Sequence, residues 1–461
     1  MVLSYSPPAG VENPSGMLLL VTAPGGAVAI DEPLLRLWRI ANGRTLDALQ
    51  RESASTDVHD IVPHAVACLA EARLLQRDPA ADNRICPTTT HRETTVSAII
   101  VVSSAAELPW LAGCLASLQA QRARPAEIIL VDNGGVMPEA TPAGSIPVRV
   151  LLKKRRASYP AALNEAVMAA GGSFLLLLNA DVSLEPAALG HMLETAASDP
   201  RIAAVAPKLL FWRTPAFLNG IGNRVRDIEW GSDNAIGQLD LGQFDHWTDV
   251  PSGCFAALLV SAAACRDVGP FDTGYPAYFE DTDWAYRARA LGYRVAAAPA
   301  AEVLHVFGAS WDATGAGTLT HAKLARAASG RLRFLWKIPA QPRQRRLIGR
   351  CLWRDFHAAR AAEHMQDPAL AWAHIRGVLL FAAGLPGAAM LRRDLQRRRR
   401  VDDAELFTSE TSMPSSSVHG STPVLTSTLI RDYYAPLIRS GRTRSMPEVA
   451  ACASGELRST R

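Results

Sequence analysis

The sequence predicts an α/β protein built on a doubly wound, mainly parallel sheet, with a small winged-helix-like unit before it and a basic helical region after it. Three observations predict this. From Val96 onward, continuous apolar strands alternate with amphipathic helices, the pattern of a parallel sheet covered on both faces. A separate, purely helical rhythm occupies most of Met17 to Arg77. Between Arg326 and Arg400, 17 Lys/Arg stand against 4 Asp/Glu, so the formal net charge of +4 conceals one basic stretch on an otherwise acidic chain. The chain has 461 residues, 48% hydrophobic and 20% charged, which excludes a disulfide-stapled module and wholesale disorder.

The elements follow in order. Residues 1–16 are Pro/Gly-rich and read as a flexible tail. A strand from Met17 is followed by the turn signal Pro24-Gly25-Gly26 and by three helices, around Leu34–Ile40, from Thr45, and over Ile61–Leu75. Together, 17–78 form the winged-helix-like unit. Residues 79–95 are polar, contain Pro87 and read as a linker. The sheet domain is expected over 96–325, with strands at 96–102, 127–131, 148–152, 173–178, 202–207 and 255–260. Residues 326–400 form the basic helical region. Residues 401–461, rich in Ser and Thr, read as a disordered tail with one short helix near Tyr433-Tyr434.

Seven cysteines at irregular spacing, with no CxxC pair, argue against a disulfide framework and a structural zinc site. No run of 18 apolar residues predicts a membrane-spanning helix. A cytoplasmic location is the expectation, with peripheral contact at the inner face of the cell membrane as its extension.

In a doubly wound sheet, ligands bind beyond the carboxyl ends of the strands. Asp132 ends EIILVDNGG and can accept from a nucleobase or ribose; an ordinary Asx turn is the plain alternative. Asn179 and Asp181 end the apolar strand before them and can hold a divalent cation against a diphosphate; a helix N-cap is the alternative. Glu280, Asp281 and Asp283 open a helix. Acidic residues suit a first helical turn, but three in four positions repel one another, which suits a general base. His305, at the end of a short late strand, is either a buried structural histidine or a neutral ligand to the same metal.

The order of these features, with Asn164 on the helix between VDNGG and LNAD and with VGPFDTGYPAYFEDTDWAYRARALGYRV after them, resembles family 2 glycosyltransferases of the GT-A fold. The resemblance is strongest to the rhamnosyltransferase and galactofuranosyltransferase branch and covers about Thr95 to Ser310. It implies an inverting hexosyl- or deoxyhexosyl-transferase that moves a sugar from a nucleotide-diphosphate donor to an acceptor hydroxyl. It implies Asp132, Asn164, Asn179, Asp181 and Glu280 as nucleotide-sugar contacts, Asp181 and His305 as ligands of Mg²⁺ or Mn²⁺, and Asp281 as catalytic base. The literal Asp281-Thr282-Asp283 motif is not assigned to the metal.

There are departures. Ser103-Ser104 replace the family's Tyr-Asn, Asn179 weakens the metal motif, Arg156-Ala157-Ser158 replace Asn-x-Gly, and Leu163-Asn164 replace Arg-Asn. They define an alternative: a peptide-recognition or regulatory protein whose glycosyltransferase domain is weakly active or inactive.

The front unit carries 6 Arg and 7 Asp/Glu between Asp31 and Arg77, so it is not expected to bind nucleic acid. IDEPLLRLWRIANGRTLDALQ…LAEARLL instead resembles PqqD-like peptide-recognition modules, which implies a peptide partner and a place in mycofactocin-type biosynthesis; a small packing or dimerisation domain is the plain alternative. The acceptor is expected to be a glycan, a lipid-linked sugar or a peptide-derived molecule. The basic region, with Trp336, Trp353, Trp372 and the apolar run 377–391, reads either as an interfacial segment in contact with anionic lipid or as helices packed on the catalytic domain with their arginines on a solvated or phosphate-facing surface.

Overall fold

The computed structural model describes residues 2–4, 18–23, 26–41, 46–54, 56–72, 74–76, 94–138, 144–225, 231–275, 278–307, 321–407, 418–419, 422–441, 443 and 458–459. Most of the expected linker 79–95 and much of both tails lie outside these residues.

The centre is a mixed sheet in the order Val148–Lys153, Glu127–Asn133, Val96–Val102, Phe174–Leu178, Ala257–Ser261, Ile202–Phe211, Arg294–His305 and Val182–Leu184. The first four strands are mutually parallel. Val96–Val102 is buried along its whole length, and so is Leu175–Leu178. Burying each such Leu, Ile or Val contributes about 1.5–3 kcal/mol, which explains why these runs are apolar on both faces. The helices Leu108–Gln119 and Ala188–Ala197 cover one face, and Tyr159–Ala169 and Glu280–Ala290 the other.

The expected strand 255–260 is corrected in two ways. It begins at Ala257, and it runs antiparallel to both neighbours. The residues before it lie outside the strand, and Asn179 N donates to Ala256 O at 3.0 Å.

At the front, Leu18–Ala23 and Gly26–Asp31 form a hairpin followed by helices Glu32–Ala41, Leu46–Glu52 and Val62–Glu71. Val2–Ser4 pairs with Leu19–Val21, which corrects the expectation of a flexible tail at those three residues.

The disordered tail expected over 401–461 is also corrected where the chain is described. Asp403–Leu406 is helical, and Thr422–Leu425 returns to the front sheet and pairs in parallel with Gly26–Asp31. The following turn of helix buries Ile430 and Tyr434 against the front helices. Ser/Thr-rich composition concealed this because the ordering contacts are long-range: Ser427 N and Oγ both donate to Asp31 Oδ2, at 2.8 and 2.5 Å.

After the sheet, helices His321–Lys337, Arg343–His364, Pro368–Ala383 and Leu385–Arg398 pack on one another. Several of their basic residues, expected to meet lipid, are consumed inside the protein. Arg331 is fully buried against Asp355 at 2.6 Å, Arg333 is paired with Asp272 at 2.8 Å, and Arg392 Nη1 donates to the carbonyls of Trp336, Lys337 and Pro339. Trp336 is likewise packed, 6.1 Å from the Phe381 ring. Among the described residues, Cys68, Cys114, Cys254, Cys265 and Cys351 are free thiols, and no single helix is long and apolar enough to cross a membrane.

Candidate active site

The cleft lies where the strand ends converge. Asp181 follows the strand Phe174–Leu178 and is buried. It does not cap a helix: Ala188–Ala197 has Ala187 at its N-cap position and no side-chain cap. Its Oδ2 instead lies 3.5 Å from Nε2 of His305, and its carbonyl accepts from Val306 N at 3.0 Å. The other ring nitrogen of His305 donates to Asn219 Oδ1 at 2.7 Å. That bond fixes the tautomer and turns the Nε2 lone pair towards Asp181. Asn179 is half-buried beside them, its carbonyl accepting from Cys114 Sγ at 3.6 Å.

These residues fit a divalent cation. Two ligands on one ion, each at about 2.1 Å, stand roughly 3.0–3.5 Å apart, as Asp181 Oδ2 and His305 Nε2 do. Among the described residues no group of three His, Cys, Asp or Glu could hold a metal by itself, so substrate oxygens would complete the shell.

Asp281 stands across the cleft at the start of the helix Glu280–Ala290. Its Oδ1 accepts from Thr282 N at 2.6 Å and Thr282 Oγ1 at 3.1 Å, and its Oδ2 accepts from Asn223 Nδ2 at 3.3 Å. Asn223 faces Asp233 across a two-residue ladder. Burial raises the Asp281 carboxyl above the ordinary carboxylate range. Burial, then the neighbouring Asp281 charge, pushes Glu280 up to about 8. The same two causes, in the same order, push Asp233 up to about 7. Among the described residues, Glu280 Oε2 is buried without a hydrogen-bond partner. Cys254 and Tyr159 line the same space, each raised first by burial and then by these carboxylates.

The helix Glu280–Ala290 begins after two consecutive left-handed residues, Tyr278 (φ 67°) and Phe279 (φ 72°). Neither is a glycine, and each such residue costs about 1–3 kcal/mol, so the surroundings must hold them. A buried charge network does so. Asp283 is paired with Arg287 at 2.9 Å and Lys337 at 2.6 Å and accepts from Tyr275 Oη at 2.9 Å, while Lys337 also meets Asp272. Asp283 is therefore scaffold, not a metal ligand. Gly330 lets the helix His321–Lys337 approach this loop: a Cβ there would meet the Tyr278 carbonyl oxygen at 3.1 Å.

Two expected contacts are placed differently. Asn164 does not reach the cleft. Its amide clamps the main chain of Phe271, donating to its carbonyl at 2.8 Å and accepting from its N–H at 2.9 Å. Asp132 is a turn residue, accepting from Val136 N at 2.8 Å and Met137 N at 3.3 Å across Gly134 and Gly135, both at positive φ. It stays at the strand end, where its oxygens can still accept from a ligand. Sequence reasoning missed Asn219, Asn223, Asp233 and Glu107. Glu107 is raised by burial and by the nearby Asp181 charge. Trp110 and Trp212 were missed too. Their rings meet edge to face at 5.9 Å, and Trp212 N donates to the His305 carbonyl.

Residues 99–233 match the family model described as glycosyl transferase family 2. The chain carries a glycosyltransferase family 2 domain. The protein is thus a glycosyltransferase of the GT-A fold; the matched stretch contains Asp132, Asp181 and Asp233 and stops before Asp281 and His305. The N-acetylglucosaminyl-diphospho-decaprenol L-rhamnosyltransferase of Mycobacterium tuberculosis is 27% identical over 224 residues, which cover 43% of this chain and 72% of that protein. Among solved structures, the mannosyltransferase PcManGT from Pyrobaculum calidifontis, in complex with GDP-Man and Mn²⁺, aligns with a TM-score of 0.37 and 17% identity over 79% of this chain and 92% of that one. GalNAc-T7 with UDP, GalNAc and Mn²⁺ aligns with a TM-score of 0.37 and 15% identity over 46% of this chain; this chain spans 43% of GalNAc-T7.

Proposed function

We propose that this glycosyltransferase moves a sugar from a nucleotide-diphosphate donor to an acceptor hydroxyl with inversion, and that Asp281 is its base. The carrying observation is an oriented carboxylate, Asp281 held by Thr282 and Asn223, and the Asp181–His305 pair, joined through Asp233, which interacts electrostatically with both Asp281 and His305. Asp181 and His305 would hold Mg²⁺ or Mn²⁺, whose chemistry when bound is to offset the charge of the leaving diphosphate. Asp281 takes the acceptor proton as the hydroxyl oxygen attacks the anomeric carbon from the face opposite the departing diphosphate. Asp132 and Asn179 stand at the donor end, and burial excludes competing water.

Asp281→Asn should cut transfer by at least about a hundredfold while nucleotide-sugar binding, read by calorimetry, stays near wild type. Wild-type turnover in that variant would refute the base assignment. Absence of any nucleotide-sugar binding in the wild type would favour the regulatory alternative.

For the acceptor, the reading favours a lipid-linked sugar hydroxyl, because the name of the mycobacterial relative carries an N-acetylglucosaminyl-diphospho-decaprenol. A peptide-derived acceptor is less well supported. PqqD-like recognition needs a free sheet edge, and the edge of Gly26–Asp31 is paired with Thr422–Leu425.

A further inference from the structure

We propose that the outer face of helices Arg343–His364 and Pro368–Ala383 is a docking surface for an anionic lipid bilayer. This deepens the lipid-linked reading of the acceptor, on which its place in the reaction rests.

The two helices turn their small and apolar residues inward: Leu347, Cys351 and Ala359 on the first, Ala373, Gly377 and Phe381 on the second. Their opposite faces should be polar, and they are not. Trp353 is 65% exposed, Phe356 60%, Trp372 54% and Leu379 53%, with Ile375 beside them. His374 Nδ1 lies 3.4 Å from Asp355 Oδ1 and sets the register between the helices. Trp353 and Phe356, three residues apart, share one face of their helix, Trp372, Ile375 and Leu379, spaced by three and four, share one face of theirs, and the two helices pack side by side. Contiguous exposed apolar surface of this kind marks an interaction site.

Charge selects the occupant. Arg345, Arg346, Arg360 and Arg376 are exposed on these two helices, while Glu363 is the exposed carboxylate on them and Asp367, between them, is partly exposed. A second copy docked through a twofold would set these arginines against their own copies. Lipid phosphates complement them, and Trp and Phe partition into the headgroup boundary. Among the described residues no single helix is long and apolar enough to cross the bilayer; Pro368–Ala383 and Leu385–Arg398 reach that length and composition only together, across a 60° bend.

The test is flotation of the full chain, without donor or acceptor, on phosphatidylcholine vesicles with and without phosphatidylglycerol. The wild type should float with the phosphatidylglycerol vesicles, less at high salt. A variant carrying Trp353→Ser, Phe356→Ser and Trp372→Ser should bind roughly tenfold more weakly or worse, with an unchanged circular dichroism spectrum. A second variant, Arg345→Glu with Arg346→Glu and Arg376→Glu, should also detach and guards against a folding artefact in the first. Equal flotation of wild type and both variants, or no flotation of the wild type at low salt, would overturn the proposal. So would light scattering that shows a wild-type dimer converted to monomer by the serine variant. A chain that binds vesicles yet transfers no sugar to a lipid-linked acceptor would keep this surface and lose the acceptor reading.

Discussion

His305 and Asn219 are 86 residues apart in sequence and are joined by a 2.7 Å hydrogen bond, from the imidazole Nδ1–H to the amide oxygen. Asn219 sits on the strand Thr214–Ile221, which pairs antiparallel with Ile202–Phe211. It has no part in the chemistry and decides which nitrogen of His305 faces Asp181.

Asn219→Ala should therefore weaken Mn²⁺ binding by about 10–100-fold. Electron paramagnetic resonance of Mn²⁺ with a nucleoside diphosphate present would measure it directly. Unchanged affinity would mean that His305 is structural.

Glu280→Gln replaces a carboxyl that burial pushes up to about 8 and that therefore stays protonated, without charge, at lower pH. The acid limb of kcat/KM, set by Asp281, should accordingly stay where it is. Stability should respond with a definite sign. Because the folded-state value of Glu280 is raised to about 8, the native protein loses stability as pH climbs from the ordinary carboxylate range towards 8. The glutamine variant should be relatively more stable across that window. Melting curves at a series of pH values give the comparison.

Lys337→Met leaves the buried carboxylates of Asp272 and Asp283 each one partner short. Breaking such a pair costs about 3–5 kcal/mol, and urea unfolding should show it. Activity should fall further than the folded fraction, because the same network holds the loop before Asp281. Activity that simply tracks the folded fraction would count against that link.

Tyr434→Phe deletes the acceptor for the buried Leu239 N–H, a 2.7 Å bond across 195 residues. The expected loss is about 1–3 kcal/mol. Hydrogen exchange at Leu239 should accelerate, and so should exchange along Gly26–Asp31 if the C-terminal strand detaches with it.

The strands were readable from sequence because burial on both faces demands unbroken apolar runs, as in Phe174–Leu178. Asp181, Asp281 and His305 were readable as candidates because each follows or opens a recognisable element. Asn219, Asn223 and Asp233 were not, because an Asn or Asp in a polar stretch looks like any turn until folding chooses its partner. The arginines misled for the opposite reason. Charge is visible in sequence, but the acids that bury Arg331 and Arg333, Asp355 and Asp272, lie 24 and 61 residues away. Asn164 shows a third case, a polar residue at a strand-facing position whose amide is spent on the Phe271 main chain.

Gly330 and Lys337 belong to a helix outside the sheet, yet Gly330 lies against the two left-handed residues that precede Asp281, and Lys337 pins Asp283 just after it. A fragment ending before His321 would contain every residue assigned to donor, metal and proton transfer. It would lack the strut that keeps Tyr278 and Phe279 in their costly conformation, and Asp281 would relax away from Asn223. The smallest working enzyme is therefore longer than its sugar-transfer domain, and excising that domain for study would yield a binder of nucleotides with an idle base.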